Sequence, residues 1–419
     1  MKVFKFGGAS VKDADGVRNL TDIIGQKLGD GDVVVVSAMG KTTAKLESLA
    51  NDVLAEEHCA MVQLNEIKDY HMSVITDLFD NQLDNKYVLG WITELFNKIE
   101  YDLTNESRKI KKAFIDRILS YGEIISTAIV AEYAKASGVS VVWKDIRKFI
   151  RSDNNYGGAR VDWVTTNANL QNGLPEDKFI VITQGYIAST AGGNTTTLGK
   201  EGSDFSAAII ARACGATDVT FWKDVPGVFN ADPKKEPEAH LFNELSYRQV
   251  VEMTYYGAKI IHPKTMRPLA VADIPLFVRS FVDPELPGTK IVNEADDDNV
   301  SQVIFKENQV LVSFKIINLE FIGENNIGLI FYTFDRLGIQ VNIIQSSAIS
   351  CTFAFDWDEE RMENLLEALS DKFSMYFNKG LTLGTFKRLP SEKVEKYLGD
   401  SEVFLKQITR SKVRVLYKE

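Results

Sequence analysis

At 419 residues the chain is too long for one ordinary domain and predicts two or three. Its 45% hydrophobic and 25% charged residues are those of a globular protein with ample core. A net charge of −10, with no basic run or Arg/aromatic patch, argues against nucleic acid as the main partner, so any anionic substrate must be caught by local cations.

Lys2 to Phe6 reads as a short strand stopped by Gly7-Gly8-Ala9-Ser10. Two glycines there let the backbone approach a ligand and present consecutive N–H groups, and Lys5 stands close enough to reach a phosphate from the strand's end. A helix follows from Ala14 to about Leu28, then Val33 to Val36, an all-apolar strand of the kind buried on both faces of a parallel sheet. Gly40-Lys41-Thr42 is not a Walker loop, because the rule requires glycine where Val35 stands. The hydroxyl-rich loop from Ser37 to Thr43, at a strand's carboxyl end, remains a candidate substrate site. Lys45 to Ala136 is mostly helical by periodicity, with turn chemistry around Asn81 to Asn85 and Asn105 to Ser107. Within it Ser120-Tyr121-Gly122-Glu123 is expected to begin a helix. Glu123 then either complements the dipole from the first turn or faces a cavity and pairs with a substrate amine.

Ser140 to Trp143 and Phe179 to Thr183 read as strands, separated by loop-like sequence from Arg151 to Val164. A Thr- and Gly-rich loop then leads to Gly202-Ser203-Asp204, which opens a helix closed by Cys214-Gly215. Ser203 and Asp204 either cap this helix or belong to an anion site at its positive end, where a carboxylate beside a phosphate needs a counter-charge or Mg²⁺. The strand Asp218 to Trp222, a Pro- and Gly-punctuated loop to Lys234, helices at Tyr247 to Tyr256 and after His262-Pro263, and a last strand, Ile274 to Phe281, complete an α/β domain, a largely parallel sheet sandwiched by helices, ending near Gly288 or Ala295.

The acidic run Glu294 to Asp298 is expected to be a linker. Beyond it, strands Gln309 to Ile317, Gln340 to Ser346, Ala348 to Phe355 and Ser374 to Asn378, with helices Ile327 to Leu337 and Glu359 to Phe373, give the order βαββαβ of a ferredoxin-like fold. A shorter β-α-β-β piece follows from Leu381 to Tyr417. Cys59, Cys214 and Cys351 are widely spaced, and His58, His71, His240 and His262 lack ligand spacing, so neither disulfides nor a structural metal site is expected. No apolar run is long enough to span a membrane, and MKVFKFGG reads straight into a strand, which predicts a cytoplasmic protein without a signal peptide.

Taken together, KFGGAS at Lys5, VVSAMGKTT at Val35, YGE at Tyr121, TQGYI at Thr183, TTTLGKEGSDFSAA at Thr195, FWKDVPGVFNADPK at Phe221 and MTYYGAKIIHPKT at Met253 resemble the aspartate kinases of the amino acid kinase family. The resemblance implies a catalytic domain over residues 1–295, with a helical insertion at about 45–136, and an ACT-type regulatory region over 300–419 with one full unit and a partial second. It implies phosphorylation of the side-chain carboxylate of L-aspartate by MgATP, the first step toward lysine, threonine and methionine. Carried over by position, Lys5 would stabilise the transferring phosphoryl group and Asp204 would orient that lysine. Gly7, Gly8 and Ser10 would supply phosphate contacts. Ser37, Thr43 and Glu123 would hold aspartate, with Glu123 taking its ammonium and Lys200 a carboxylate. Lys223, Asp224, Phe229, Lys234, Lys259 and Ile260 would line the nucleotide site.

The pattern is not followed everywhere. Lys200 and Lys234 stand for arginine, Lys223 for threonine, Phe229 for tyrosine and Ala44 for asparagine; Lys200 keeps charge but loses a bidentate fork. A kinase for another amino acid, and a regulatory paralogue without catalysis, are the competing readings. The helical insertion and sensing tail speak against the first, and retention of Lys5, Glu123, Asp204 and Lys259 against the second. Absence of GxGxxG, and of room after the sensing region, predicts no fused homoserine dehydrogenase. An unfinished second sheet predicts a homodimer, with lysine or threonine as candidate feedback ligand.

Overall fold

The computed structural model describes residues 1–419 except 58–59, 80–81, 106–107, 259, 297–299, 318–320 and 419, and only the backbone of 82–85. His58, Cys59, Lys259 and parts of the two Asn-containing turns and of the acidic run lie outside the described residues. The chain divides into two compact units. The first is Met1–Val228, Leu241–Arg248 and Ile261–Asp296; the second is Phe229–His240, Gln249–Ile260 and residues 297–419.

The first unit begins with β1 (Lys2–Phe6), α1 (Ala14–Lys27) and β2 (Val33–Val36). Asp13 caps α1 by accepting from Gly16 N–H, and Val17, Leu20, Ile23 and Ile24 supply its buried face. Helices α2 (Thr42–Leu54), α3 (Ala60–Leu78), α4 (Gln82–Asn105) and α5 (Lys111–Ala136) make up the helical stretch. Glu123 does not lie in a first turn, as expected from Gly122, but deep inside α5. The helix runs through Gly122 because a Cβ there would sit 3.2 Å from both the Ala38 and Leu46 side chains; glycine is a packing choice, not a break.

Next come β3 (Val141–Lys144), β4 (Arg151–Ser152), α6 (Trp163–Gly173), β5 (Ile180–Gln184), β6 (Ile187–Thr190), β7 (Thr195–Thr197), α7 (Gly202–Cys214) and β8 (Asp218–Lys223). The segment expected to be loop from Arg151 to Val164 therefore contains a short strand and the start of α6, whose first turn is capped by Asp162. The Thr/Gly loop likewise folds as the antiparallel pair β6–β7, with β4 beside it. Then follow β9 (Glu244–Ser246), α8 (Tyr247–Tyr256), which from Gln249 on belongs to the second unit, α9 (Pro263–Val271), β10 (Leu276–Ser280) and β11 (Thr289–Val292).

Eight strands form one sheet in the order β3-β5-β2-β1-β8-β10-β11-β9, parallel throughout except between β10 and β11. Every residue of β2 and of β5 is buried, as a sheet covered on both faces requires. Phe4 and Phe6 share one face of β1, where Phe6 stacks on Trp222 at 5.9 Å; alternation puts Lys5 on the other.

The second unit contains β12 (Gln302–Ile316), α10 (Glu324–Leu337), β13 (Val341–Ser346), β14 (Ser350–Asp356), α11 (Glu359–Leu369), β15 (Phe373–Lys387), α12 (Ser391–Leu398), β16 (Glu402–Ile408) and β17 (Lys412–Lys418). They form an antiparallel sheet ordered β13-β14-β12-β15-β17-β16, whose first four strands have the ferredoxin-like arrangement expected. Two expectations are corrected. The pieces Ser374–Asn378 and Leu381–Lys387 are one 15-residue strand, and β12 starts at Gln302. Residues 302–306 pair with 383–387, which pair with β17, so this chain's own β12 supplies the fourth strand of the partial second motif. The polar Lys306-Glu307-Asn308 hid this extension; it is a register shift within the ladder, not a strand end. Phe314, Phe334, Phe353, Phe355 and Phe373 fill the core beneath α10 and α11, with Phe334 and Phe353 edge-to-face at 5.0 Å. Among the described residues no helix is long and apolar enough to cross a membrane.

Candidate active site

The site is built where three parallel strands of the first unit end. After β1 the chain turns through Gly7 into a 3-10 turn, Gly8–Val11, while the loop after β2 folds against it. A Cβ at Gly8 would lie 2.6 Å from the Ala38 carbonyl oxygen and 2.9 Å from that of Gly40. Gly40 N–H in turn donates to the Gly8 carbonyl at 3.0 Å. Only glycine permits this approach, and it leaves Gly7, Gly8 and the buried Ser10 beside Lys5, whose Nζ is 3.6 Å from where a Gly7 Cβ would be.

Gly122 draws α5 onto the loop after β2, and Glu123 follows it inward, 2% exposed. Its carboxyl accepts the Ala38 N–H and feels the charge of Lys5, yet Oε2 has no hydrogen-bond partner. Burial pushes its pKa up to about 8, against the opposing pull of the Ala38 amide and Lys5. Ser37 is half-buried in the same loop, its carbonyl accepting from Ser126 Oγ at 2.7 Å. Thr43 is half-buried in the first turn of α2. Its neighbour Thr42 lies 3.5 Å from Nε2 of buried His71, whose Nδ1 lies 2.7 Å from the Ile67 carbonyl. Burial lowers the His71 pKa to about 4 and keeps the ring neutral.

The third component is the start of α7. Its cap, Glu201, has φ 54° and makes no side-chain capping bond; Ser203 and Asp204 are inside the first turn and do not cap it. The first-turn amides are thus left without a side-chain acceptor at the positive end of the dipole, which suits an anion. Asp204, 4% exposed, forms an ion pair with Lys5, and its other oxygen is 4.0 Å from Lys223 Nζ at the end of β8. Because β8 is the register neighbour of β1, two lysines flank one carboxylate. Lys200 is exposed in the turn before α7, with no ion pair among the described residues, and Asp224 is exposed just after Lys223.

Lys5, Gly7, Gly8, Ser10, Ser37, Thr43, Glu123, Lys200, Asp204, Lys223 and Asp224 all belong to the first unit, with Lys5, Glu123, Asp204 and Lys223 brought together. Phe229, Lys234 and Ile260 belong to the second unit, where Phe229 and Ile260 are half-buried and Lys234 is exposed on a turn closed by Asp232. Sequence reasoning missed Tyr186. It sits at φ 69°, unusual for a side-chain-bearing residue, with its ring 2.6 Å from where a Gly202 Cβ would be; burial pushes its phenol pKa up, against a hydrogen bond with Thr197. It missed Asp116 as well, although that residue precedes Glu123 by two helical turns. Among the described residues no group of three or more His, Cys, Asp or Glu could hold a metal by itself. A hard cation here would rely on Asp204 and on oxygens of a bound phosphate.

The amino acid kinase family profile matches residues 1–280. The lysine-sensitive aspartokinase 3 of Escherichia coli K12 is 32% identical over 365 residues, spanning 84% of this chain and 78% of that protein. The bifunctional aspartokinase/homoserine dehydrogenase 1 of maize is 28% identical over 388 residues, and the match covers 41% of its length. The crystal structure of E. coli aspartokinase III with aspartate and ADP superposes with a TM-score of 0.82 at 27% identity, covering 100% of this chain and 96% of that one. The same enzyme with lysine and aspartate gives 0.81 at 26%. This chain belongs to the amino acid kinase family and, within it, to the aspartokinases.

Proposed function

We propose that this protein is an aspartate kinase, transferring the γ-phosphoryl group of ATP to the side-chain carboxylate of L-aspartate to give 4-phospho-L-aspartate and ADP. The observation that carries the reading is the Lys5–Asp204–Lys223 ion array beside the uncapped start of α7, with the buried carboxyl of Glu123 next to Lys5. The acceptor carboxylate is already a nucleophile. One of its oxygens bonds to the γ-phosphorus as the bond to the β–γ bridging oxygen breaks, and no proton has to be removed. The chemistry therefore asks for positioning and neutralisation of charge, which this set of side chains can supply.

Lys5 stabilises the phosphoryl oxygens in transit, and Asp204 fixes its ammonium in place. Gly7, Gly8 and Ser10 present the backbone of the first turn to the phosphates. Glu123 takes the acceptor's ammonium, Lys200 a carboxylate, and Ser37 and Thr43 line the space between them. Lys223 and Asp224 serve the nucleotide; nucleotide roles for Phe229, Lys234, Lys259 and Ile260 rest on the resemblance alone. Mg²⁺, held by phosphate oxygens with Asp204 at hand, would supply further charge neutralisation. The catalytic domain is assigned to residues 1–295 and the regulatory region to 300–419. A homodimer is proposed, with β13 and β16 as the terminal strands of the second unit's sheet. Feedback by lysine is supported by the lysine sensitivity of the E. coli relative and by that enzyme's crystal structure with lysine and aspartate.

Acyl phosphate formation trapped as the hydroxamate, with L-aspartate and L-glutamate compared, tests the reading. Turnover on aspartate alone, inhibited by lysine and not by threonine, is expected. No turnover on either acid, despite binding of both substrates, would leave a regulatory paralogue instead.

A further inference from the structure

Two turns before Glu123 on the same helix stands a second buried carboxylate, Asp116, 1% exposed and assigned no part in the chemistry. Seven residues of α-helix advance about 10.5 Å and return almost to the same face, so both carboxylates look out along one side of α5. Asp116 reaches two loops. It accepts from Gly157 N–H at 3.0 and 3.1 Å, from Thr197 N–H at 2.8 Å and from the Thr197 hydroxyl at 2.8 Å. Burial raises its pKa, and these donors oppose the rise.

The two loops meet at the residue before Lys200. Thr197 ends β7, three residues ahead of Lys200. Gly199, at φ 76°, is packed against the Gly157 carbonyl and the Gly158 Cα, which lie 3.4 and 3.3 Å from where its Cβ would be. The other side of the same turn is also tied down. Lys264 Nζ donates to the Leu198 carbonyl at 2.8 Å, Tyr186 O accepts from Leu198 N–H at 2.8 Å, and the Glu201 carboxylate accepts from His262 N–H at 2.7 Å. Of these anchors, only Asp116 comes from the helix that also carries Glu123.

We propose that α5 sets the span of the acceptor subsite, holding Glu123 directly and the Lys200 turn through Asp116, so that Asp116 is a positioning residue for the amino-acid substrate. This rests on the reading of Glu123 and Lys200 as acceptor-binding groups. An ammonium site and a carboxylate site recognise one small molecule only if their separation is fixed. A rigid helix with a buried hydrogen-bonded carboxylate fixes it better than a free loop does.

The test is steady-state kinetics of the full chain, with aspartate and MgATP varied separately, on Asp116→Asn and on Thr197→Val. Asparagine turns donors toward the Gly157 and Thr197 amides, whereas valine removes only the hydroxyl donor and carries the test if Asp116→Asn does not fold. The KM for aspartate is expected to rise at least tenfold in Asp116→Asn and several-fold in Thr197→Val, with the KM for MgATP within twofold of wild type. In a Lys200→Ala background either substitution should add less than twofold, because the group it positions is gone. Equal rises in both KM values, or full additivity with Lys200→Ala, would overturn the proposal and leave Asp116 a general structural residue. If the wild-type chain turns over no aspartate, the functional reading has failed. The same cycle followed as aspartate binding by calorimetry then decides the positioning role.

Discussion

Replacing Glu123 by glutamine should change how stability depends on pH more than how large it is. The carboxyl is fully enclosed, and its pKa in the folded chain is about 8 against an ordinary value of 4.5. Between those limits the folded chain holds a proton that the unfolded chain has released. Stability contributed at this position is therefore present at low pH and lost as pH rises, with a slope of about 1.4 kcal/mol per pH unit. From about pH 5.5 to about pH 7.5 that amounts to roughly 3 kcal/mol. Glutamine matches the protonated form in shape and cannot ionise. Wild type and Glu123→Gln should therefore be similar only below about pH 4.5, and the variant should gain on the wild type by roughly 3 kcal/mol between about pH 5.5 and about pH 7.5. Urea unfolding of both proteins, followed by tryptophan emission, reads the difference; Trp143 reports on α5 because its indole donates to Thr127 at 2.9 Å, one turn beyond Glu123. A difference in stability that does not change with pH would refute the assignment of a protonated carboxyl. The same proton competes with the acceptor's ammonium, so the wild-type KM for aspartate should fall as pH rises toward about 8, and that of the variant should be flat.

Asp204→Asn should lower kcat by about 10²–10³ with little change in either KM, since it disturbs the cation serving the transferring group; initial rates at saturating substrates check this. Lys200→Arg should restore a two-pronged contact to a carboxylate and lower the KM for aspartate by roughly five- to tenfold, read from acceptor titrations. Gly8→Ala would force a methyl to within 2.6 Å of the Ala38 carbonyl oxygen, so a loss of about 2–3 kcal/mol in thermal unfolding is expected, together with weaker MgATP binding.

Much of the site could be read from the chain because its parts are local. Val33–Val36 ends in the loop that presses on Gly8, and Gly215 at φ 63° closes α7 where a glycine after Cys214 says it should. What escaped notice depends on contacts distant in sequence. Gly122 suggests a helix start because a lone glycine looks the same whether it breaks a helix or admits a neighbouring loop; only the closeness of Ala38 tells them apart. Asp116 looks like a surface acid until Thr197, 81 residues away, comes to rest on it. The polar Lys306-Glu307-Asn308 hid the length of β12, since a bulge tolerates residues that a regular buried ladder does not. Glu201 gave no sign that it would occupy the cap of α7 ahead of Ser203, because its left-handed backbone is imposed by the turn and not by its own preference.

The most direct test of the central claim is to incubate the chain with MgATP and aspartate labelled with ¹³C at the side-chain carboxyl, and to follow the label by NMR. The account predicts phosphorus coupling appearing on that carbon at the rate ADP is released, and appearing about 10²–10³ times more slowly in Asp204→Asn. ADP release with no phosphorylated carbon, or phosphoryl transfer to the α-carboxyl, would contradict it.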